Sequence, residues 1–316
     1  MDRRTLLFLV LSAVAVASAA AAATVDIPEN YWHQQLPNTP IPSAIRTLLC
    51  PDLLREARNH APVKSVTPWV YLHHEPYPGN ESQARNDPLG ALAFLEQDLH
   101  HSTRKARLQF FWHFSPAPLI PRPVAGATTF SSKKLPELMA RFSLRPDSAG
   151  AEDMRMSLHR CEHHAGDESC VTSLESMVDF AIANLGGTRD VRASSTEVGG
   201  GELEPNKLQY YTVAGPVESL HDEGSKAVIC HAQPFPYAVF FCHAEDGGTR
   251  AYKVPLVGED GSKVTAVAVC HNDTSAWNPR QMALLVLNVR PGSVPVCHFL
   301  GQDSVVWTPT TWAPTM

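Results

Sequence analysis

The sequence predicts an α+β fold, partly helical in its first half and mostly antiparallel β in its second. Helical periodicity dominates the better-patterned stretches before residue 190, whereas after residue 205 the period becomes that of extended chain. Turn signals at Gly247-Gly248, Asp260-Gly261 and Pro291-Gly292 punctuate the second half at the spacing of an antiparallel sheet system.

The chain opens MDRRTLLFLVLSAVAVASAAAAAT. Arg3 and Arg4 give a positive start, Leu6 to Ala17 is apolar, and small residues from Ala20 to Ala23 offer cleavage sites, so residues 1–23 are expected to be a secretory signal. Its strongly apolar part is about a dozen residues, short of the roughly 20 that a spanning helix needs. No later run is long enough either. Residues 24–107 read as a short, partly ordered N-terminal segment rich in Pro, His and Asn, followed by a domain over 108–316. Within that segment, Leu89, Leu92, Leu95 and Leu99 predict an amphipathic helix over 87–104. A second helix is expected over 131–142, with Leu135, Leu138, Met139 and Phe142 on one face. The third, 172–187, carries a capping box of Thr172 and Glu175, an apolar face of Leu174, Met177, Val178, Ile182 and Leu185, and a Gly186-Gly187 stop. After residue 205 the runs KLQYYTVAG, AVICHA, YAVFFCHA, RAYKVPLV, KVTAVAVCHN, MALLVLNV, SVPVCHFL and SVVWT are expected as strands.

The formal charge is −6, and −7 without residues 1–23, which argues against nucleic acid as a partner. The expected secretory route changes how the cysteines read, because an oxidising compartment turns thiols into disulfides. Seven is odd, and Cys50, far from the others, is expected to stay free or to pair with another chain. The sequons at Asn80 and Asn272 become candidate glycosylation sites.

Four of the cysteines are each followed by histidine: Cys230-His231, Cys242-His243, Cys270-His271 and Cys297-His298. Seven cysteines and 15 histidines placed at random over 316 positions would give roughly a third of one such pair. Each pair ends an apolar strand-like run, where adjacent side chains point to opposite faces. That geometry favours a division of labour, with the cysteines forming two disulfides and the histidines serving elsewhere. Three connectivities are open to the four cysteines. Cys161 and Cys170 are expected to bridge locally, holding His163 still as a weaker candidate ligand. The array's spacing has no Cys-x2-Cys or His-x3-His knuckle, which ranks zinc low. The remaining histidines, including His73-His74 and His100-His101, read as surface residues.

The arrangement Cys-His-x10-Cys-His-x26-Cys-His-x25-Cys-His closely resembles the signature of the plant BURP domain. Phe110-Phe111, FSSKKLPEL, CEHHAGDESCVTSLESMVDFAIANLG and HNDTSAWNP before PGSVPVCHFL add to the resemblance, as does YWHQQLPNTPIPSAIRTLL at 31–49. Departures are LIPR and ATTFSS in place of the family's usual stretches, and Cys50; none touches the array. The resemblance implies one of two functions. One is a non-catalytic role in the apoplast or cell wall, with a wall polysaccharide, wall protein or peptide as partner. The other is copper-dependent cyclisation or cross-linking of peptide Tyr or Trp, with His231, His243, His271 and His298 as copper ligands, a role suited to imidazole. Cyclases that modify themselves carry aromatic core peptides, often repeated, ahead of the domain. Here Tyr31, Trp32, Trp69, Tyr71 and Tyr77 sit in no repeated unit, which leaves a separate peptide as the substrate of any such activity.

Overall fold

The computed structural model describes residues 28–310 except 54, 56–75, 88–89, 101–104, 111, 113–114, 164–167, 200–207 and 246. The expected signal at 1–23 therefore lies outside the described residues, as do Trp69, Tyr71, His73, His74 and His101. Among the described residues no helix is long and apolar enough to cross a membrane.

The fold is α+β, built on two antiparallel sheets. The first has eight strands: β1 (Ala93–Leu95), β2 (Lys105–Leu108), β5 (Glu197–Gly199), β6 (Gln209–Val213), β7 (Glu218–Ser219), β10 (Thr249–Gly258), β11 (Lys263–His271) and β12 (Val296–Phe299). Their order is β1-β12-β11-β10-β6-β2, with β5 pairing β11 and β7 pairing β10. The second sheet runs β3-β9-β8-β13-β4, from β3 (Glu168–Val171), β4 (Val191–Ser194), β8 (Ala227–Gln233), β9 (Val239–Glu245) and β13 (Ser304–Pro309). Ile229 and Val306 of the five-stranded sheet pack with Ala251, Val267 and Val269 of the eight-stranded one, so the two sheets share an apolar layer between their facing surfaces. The eight-stranded sheet draws β1 and β2 from residues up to 108.

Helices cover the outer face of the five-stranded sheet. Helix α1 (Pro28–Gln35) places Trp32, fully buried, against Trp307 of β13 with ring centroids 5.2 Å apart. Its indole donates to the carbonyl of Thr39, whose hydroxyl in turn donates to the carbonyl of Val191 in β4. Helix α2 (Ser43–Leu49) adds Ala44, Ile45 and Leu48 to the same core. A third helix of this layer, Leu174–Asn184, contributes Leu174, Met177, Val178 and Ala181. It begins one residue later than the capping signal predicts: the N-cap is Ser173, paired reciprocally with Ser176. Glu175 instead accepts a hydrogen bond from the backbone N–H of Arg122 at 3.0 Å, so tertiary demand on that carboxylate moved the cap. Gly186 and Gly187, with φ of 81° and 79°, end the helix in the left-handed region as their type allows. Ser173→Ala is expected to cost about 1 kcal/mol, read as a lower urea midpoint with unchanged slope.

Two expected elements differ. The helix over 87–104 is replaced by 3-10 turns at Gly90–Leu92 and Glu96–His100 flanking β1. Phe94 of β1 lies opposite Cys297 and stacks on Phe299 at 4.5 Å, so pairing with β12 outweighs the local leucine periodicity. MALLVLNV forms the helix Met282–Leu287 rather than a strand, with the Gln281 side chain accepting from the Leu284 N–H and Asn288 closing it at φ 55°. An apolar run this short carries no period that separates the two structures. The helix expected over 131–142 is a 3-10 turn, Ser132–Lys134, leading into Leu135–Arg141.

Candidate functional site

Strand register sets the site. In the antiparallel pair β8 and β9, Cys230 faces Cys242, and in β11 and β12, Cys270 faces Cys297. The Cα separations are 4.0 and 3.9 Å, as in the close, non-hydrogen-bonded pairs of an antiparallel ladder, and both pairs are disulfides. The third disulfide joins Cys161 and Cys170. Cys50 is exposed and in none of them.

Alternation then separates the two halves of each dipeptide. Cys230 and Cys242 join the core beneath the helices, on the outer face of the five-stranded sheet, and Cys270 and Cys297 join the core on the outer face of the eight-stranded one. Their histidines point the other way, into the space between the sheets. All four are buried: His231 5%, His243 6%, His271 6% and His298 2% exposed. The rings stack in pairs, His231 on His243 at 5.4 Å and His271 on His298 at 5.6 Å, with interplanar angles of 16° and 13°. Trp277 lies edge-on to His271 at 5.2 Å.

Glu245, two residues beyond His243 and on the same face of β9, joins the pairs. Its Oε1 lies 2.8 Å from His243 Nδ1 and its Oε2 3.7 Å from His271 Nδ1, while the Thr249 hydroxyl donates to Oε2 at 2.7 Å. Burial alone would raise this carboxyl, but the close contact with His243 and the nearby His271 ring outweigh burial and hold it well below the usual carboxylate range. His298 is pushed down to about 3, first by burial and then by neighbouring His271, so its ring is neutral. His231 completes the cluster: its Nε2 lies 3.3 Å from His243 Nε2, and its Nδ1 lies 3.3 Å from Ser304 Oγ.

The sequence reading missed Glu245. A lone carboxylate after a strand carries no motif, although its offset of two from His243 places it on the histidine face. His163 stands apart: it is exposed at the end of the helix Ala149–Glu162, with Nδ1 2.8 Å from the His159 carbonyl. His221, read as a surface residue, is buried and accepts from the Ala251 N–H, which gives it a structural role. Asn80 is exposed as an N-cap, and the half-buried Asn272 accepts from Arg250 at 2.9 Å with Thr274 of its sequon fully buried.

Copper is the cofactor that the array brings into question. Two imidazole nitrogens on one ion, at the bond length of about 2.0–2.1 Å usual for zinc and at tetrahedral angles, stand about 3.3 Å apart. The Nε2 atoms of His231 and His243 have that separation, with a carboxylate behind His243 as metal-binding histidines usually have. Among the described residues, however, no group of three or more His, Cys, Asp or Glu side chains is placed to hold a metal ion. The donors fit such an ion as a pair from one sheet.

Comparison with known proteins bears on the whole chain. Residues 92–309 match the BURP domain. The chain is similar to BURP domain-containing protein 5 of Oryza sativa subsp. japonica, 41% identical over 300 residues, 93% of this chain and 91% of that protein. It is also 46% identical to BURP domain-containing protein 3 of the same plant over 248 residues, 77% of this chain but 56% of the relative. With BURP domain protein RD22 of Arabidopsis thaliana it shares 43% identity over 248 residues, covering 77% of this chain and 60% of the relative. The chain thus spans little more than half the length of two of these relatives and nearly all of the third.

Proposed function

Because the chain belongs to the BURP-domain family, we propose that it works as a secreted, non-enzymatic protein of the apoplast or cell wall, in development or stress. Its partner on this reading is a wall polysaccharide, wall protein or peptide. The closure of the histidine array supports the reading: four rings at most 6% exposed, between two disulfide-stapled sheets, offer little surface to a peptide aromatic. Among the described residues, Tyr31, Trp32 and Tyr77 of the N-terminal segment are likewise committed to the fold. Trp32 and Tyr77 are buried, and Tyr31 donates to Asp179. The signal at 1–23, glycans on Asn80 and Asn272, and an exposed Cys50 available for a partner chain belong to the same proposal.

The 3.3 Å spacing of His231 and His243, backed by Glu245, favours a second reading: copper-dependent cross-linking of Tyr or Trp on a separate peptide. When bound, copper would supply one-electron oxidation of phenol or indole. The chain's residues would hold it at Nε2 and keep bulk water out. Metal analysis of the purified mature protein separates the readings. The non-enzymatic reading predicts that, with copper and oxygen supplied, a Tyr- and Trp-containing peptide keeps its mass. A product lighter by two hydrogens, absent with His231→Ala/His243→Ala, would overturn it.

A further inference from the structure

We infer that His159 and His163 form a metal site of their own on the surface of the protein, apart from the buried histidine array: a two-imidazole chelate for a divalent transition metal, Cu(II) foremost. The site stands whether or not the array holds copper.

The pair is His-x3-His at the end of the helix Ala149–Glu162, with His159 in its last turn and His163 as its C-cap. Residues four apart are neighbours on a helix surface. Here the two rings have closed to 4.2 Å between centroids, with their planes 38° apart. Both residues are exposed, so an ion reaches them without opening the fold. The backbone that carries them is fixed from the other side: Met154 and Leu158 are buried in a core cluster, and Cys161, midway between the two histidines, is bridged to Cys170. Nδ1 of His163 lies 2.8 Å from the His159 carbonyl, which leaves Nε2 as the ring nitrogen open to a ligand. A carbonyl behind the ring is a usual outer partner of metal-ligating histidines.

Local charge favours a cation as well. The carbonyls of a helix C-terminus form the negative end of its dipole. Glu162 adds a carboxylate beside them, held by the Ser131 hydroxyl at 2.8 Å and the Ser132 N–H at 2.7 Å. The helix's two arginines are engaged elsewhere: Arg155 donates to Glu152 and to the Pro146 carbonyl, and Arg160 lies over the Phe241 ring at 4.4 Å. Two imidazoles bound cis on a square-planar ion, with metal–nitrogen bonds of about 2 Å, have centroids about 4.5 Å apart, whereas tetrahedral angles spread them to about 5.2 Å. The 4.2 Å of His159 and His163 lies at the square-planar end. That geometry belongs to Cu(II) or Ni(II), and of the first-row divalent ions Cu(II) binds such a nitrogen site most tightly.

Titration of the full-length mature protein with Cu(II) alone, followed by calorimetry and pulsed EPR, tests the site. Cys50 is alkylated beforehand so that its exposed thiol does not reduce the ion. The His231→Ala/His243→Ala variant should still bind Cu(II) with an EPR signature of two imidazoles, and adding His159→Ala should abolish that signature. If the array variant fails to fold, His159→Ala in the otherwise wild-type chain carries the test, since an exposed side chain is replaced, and it should bind one equivalent of Cu(II) fewer than wild type. With His159 intact, an array variant that binds no Cu(II), or whose bound ion shows a single imidazole, would overturn the inference. So would a two-imidazole signature or a stoichiometry that His159→Ala leaves unchanged. Copper kept by His159→Ala and lost from His231→Ala/His243→Ala would defeat this site and favour the copper reading of the array.

Discussion

Trp32→Ala is expected to lower stability by about 3–5 kcal/mol, the usual cost of removing a large aromatic from a closed core. The ring is wholly buried, touches Trp307, and anchors the turn through its indole bond to Thr39. Thr39 then ties the segment to β4, and Leu48 accepts a backbone hydrogen bond from Leu119. Residues 28–49 therefore belong to the cooperative unit. At about 2–4 °C per kcal/mol for a domain of this size class, the melting temperature should fall by about 10 °C. Tyr31→Phe, which removes an exposed hydroxyl bonded to Asp179 and near Arg122, should move it by much less. A Trp32→Ala protein that melts with wild type would mean that the N-terminal helices lie outside the cooperative core.

Cys270→Ala/Cys297→Ala is expected to cost about 3–4 kcal/mol, because this bridge closes a chain separation of 27 residues that the unfolded state would otherwise explore. The bridge Cys230–Cys242, with a separation of 12, should contribute about 0.7 kcal/mol less by the same dependence. Both pairs are fully buried under apolar side chains, so the alanine variants leave small cavities rather than exposed polar groups. Guanidinium unfolding of the two variants under non-reducing conditions checks the magnitudes and their order. If the shorter loop proves the more stabilising, loop entropy is the wrong account.

Much of this was legible in the residues because it depended on local pattern. Alternation in AVIC-His231 and VAVC-His271 sent cysteine and histidine to opposite faces before any partner strand was known. Most strands after residue 205 followed from their β-branched runs and turns. What local pattern did not carry was pairing. Leu92 and Leu99 show helical spacing yet flank a strand, because Phe94 has a place opposite Cys297 that no neighbouring residue announces. Disulfide connectivity was open for the same reason: facing of Cys230 by Cys242 is a fact of register. Glu245 belongs to the site only because β9 and β11 from different sheets meet there, bringing His271 within 3.7 Å.

The central claim is that each Cys-His dipeptide is divided between a staple on the outer face of a sheet and a histidine in the layer between the sheets. Peptide mapping of the mature protein without reduction tests it most directly. Digestion should release the crosslinked peptides Cys230–Cys242, Cys270–Cys297 and Cys161–Cys170, with Cys50 outside all three intramolecular bridges. Bridges that cross from Cys230 or Cys242 to Cys270 or Cys297, or free thiols at those four positions, would contradict it.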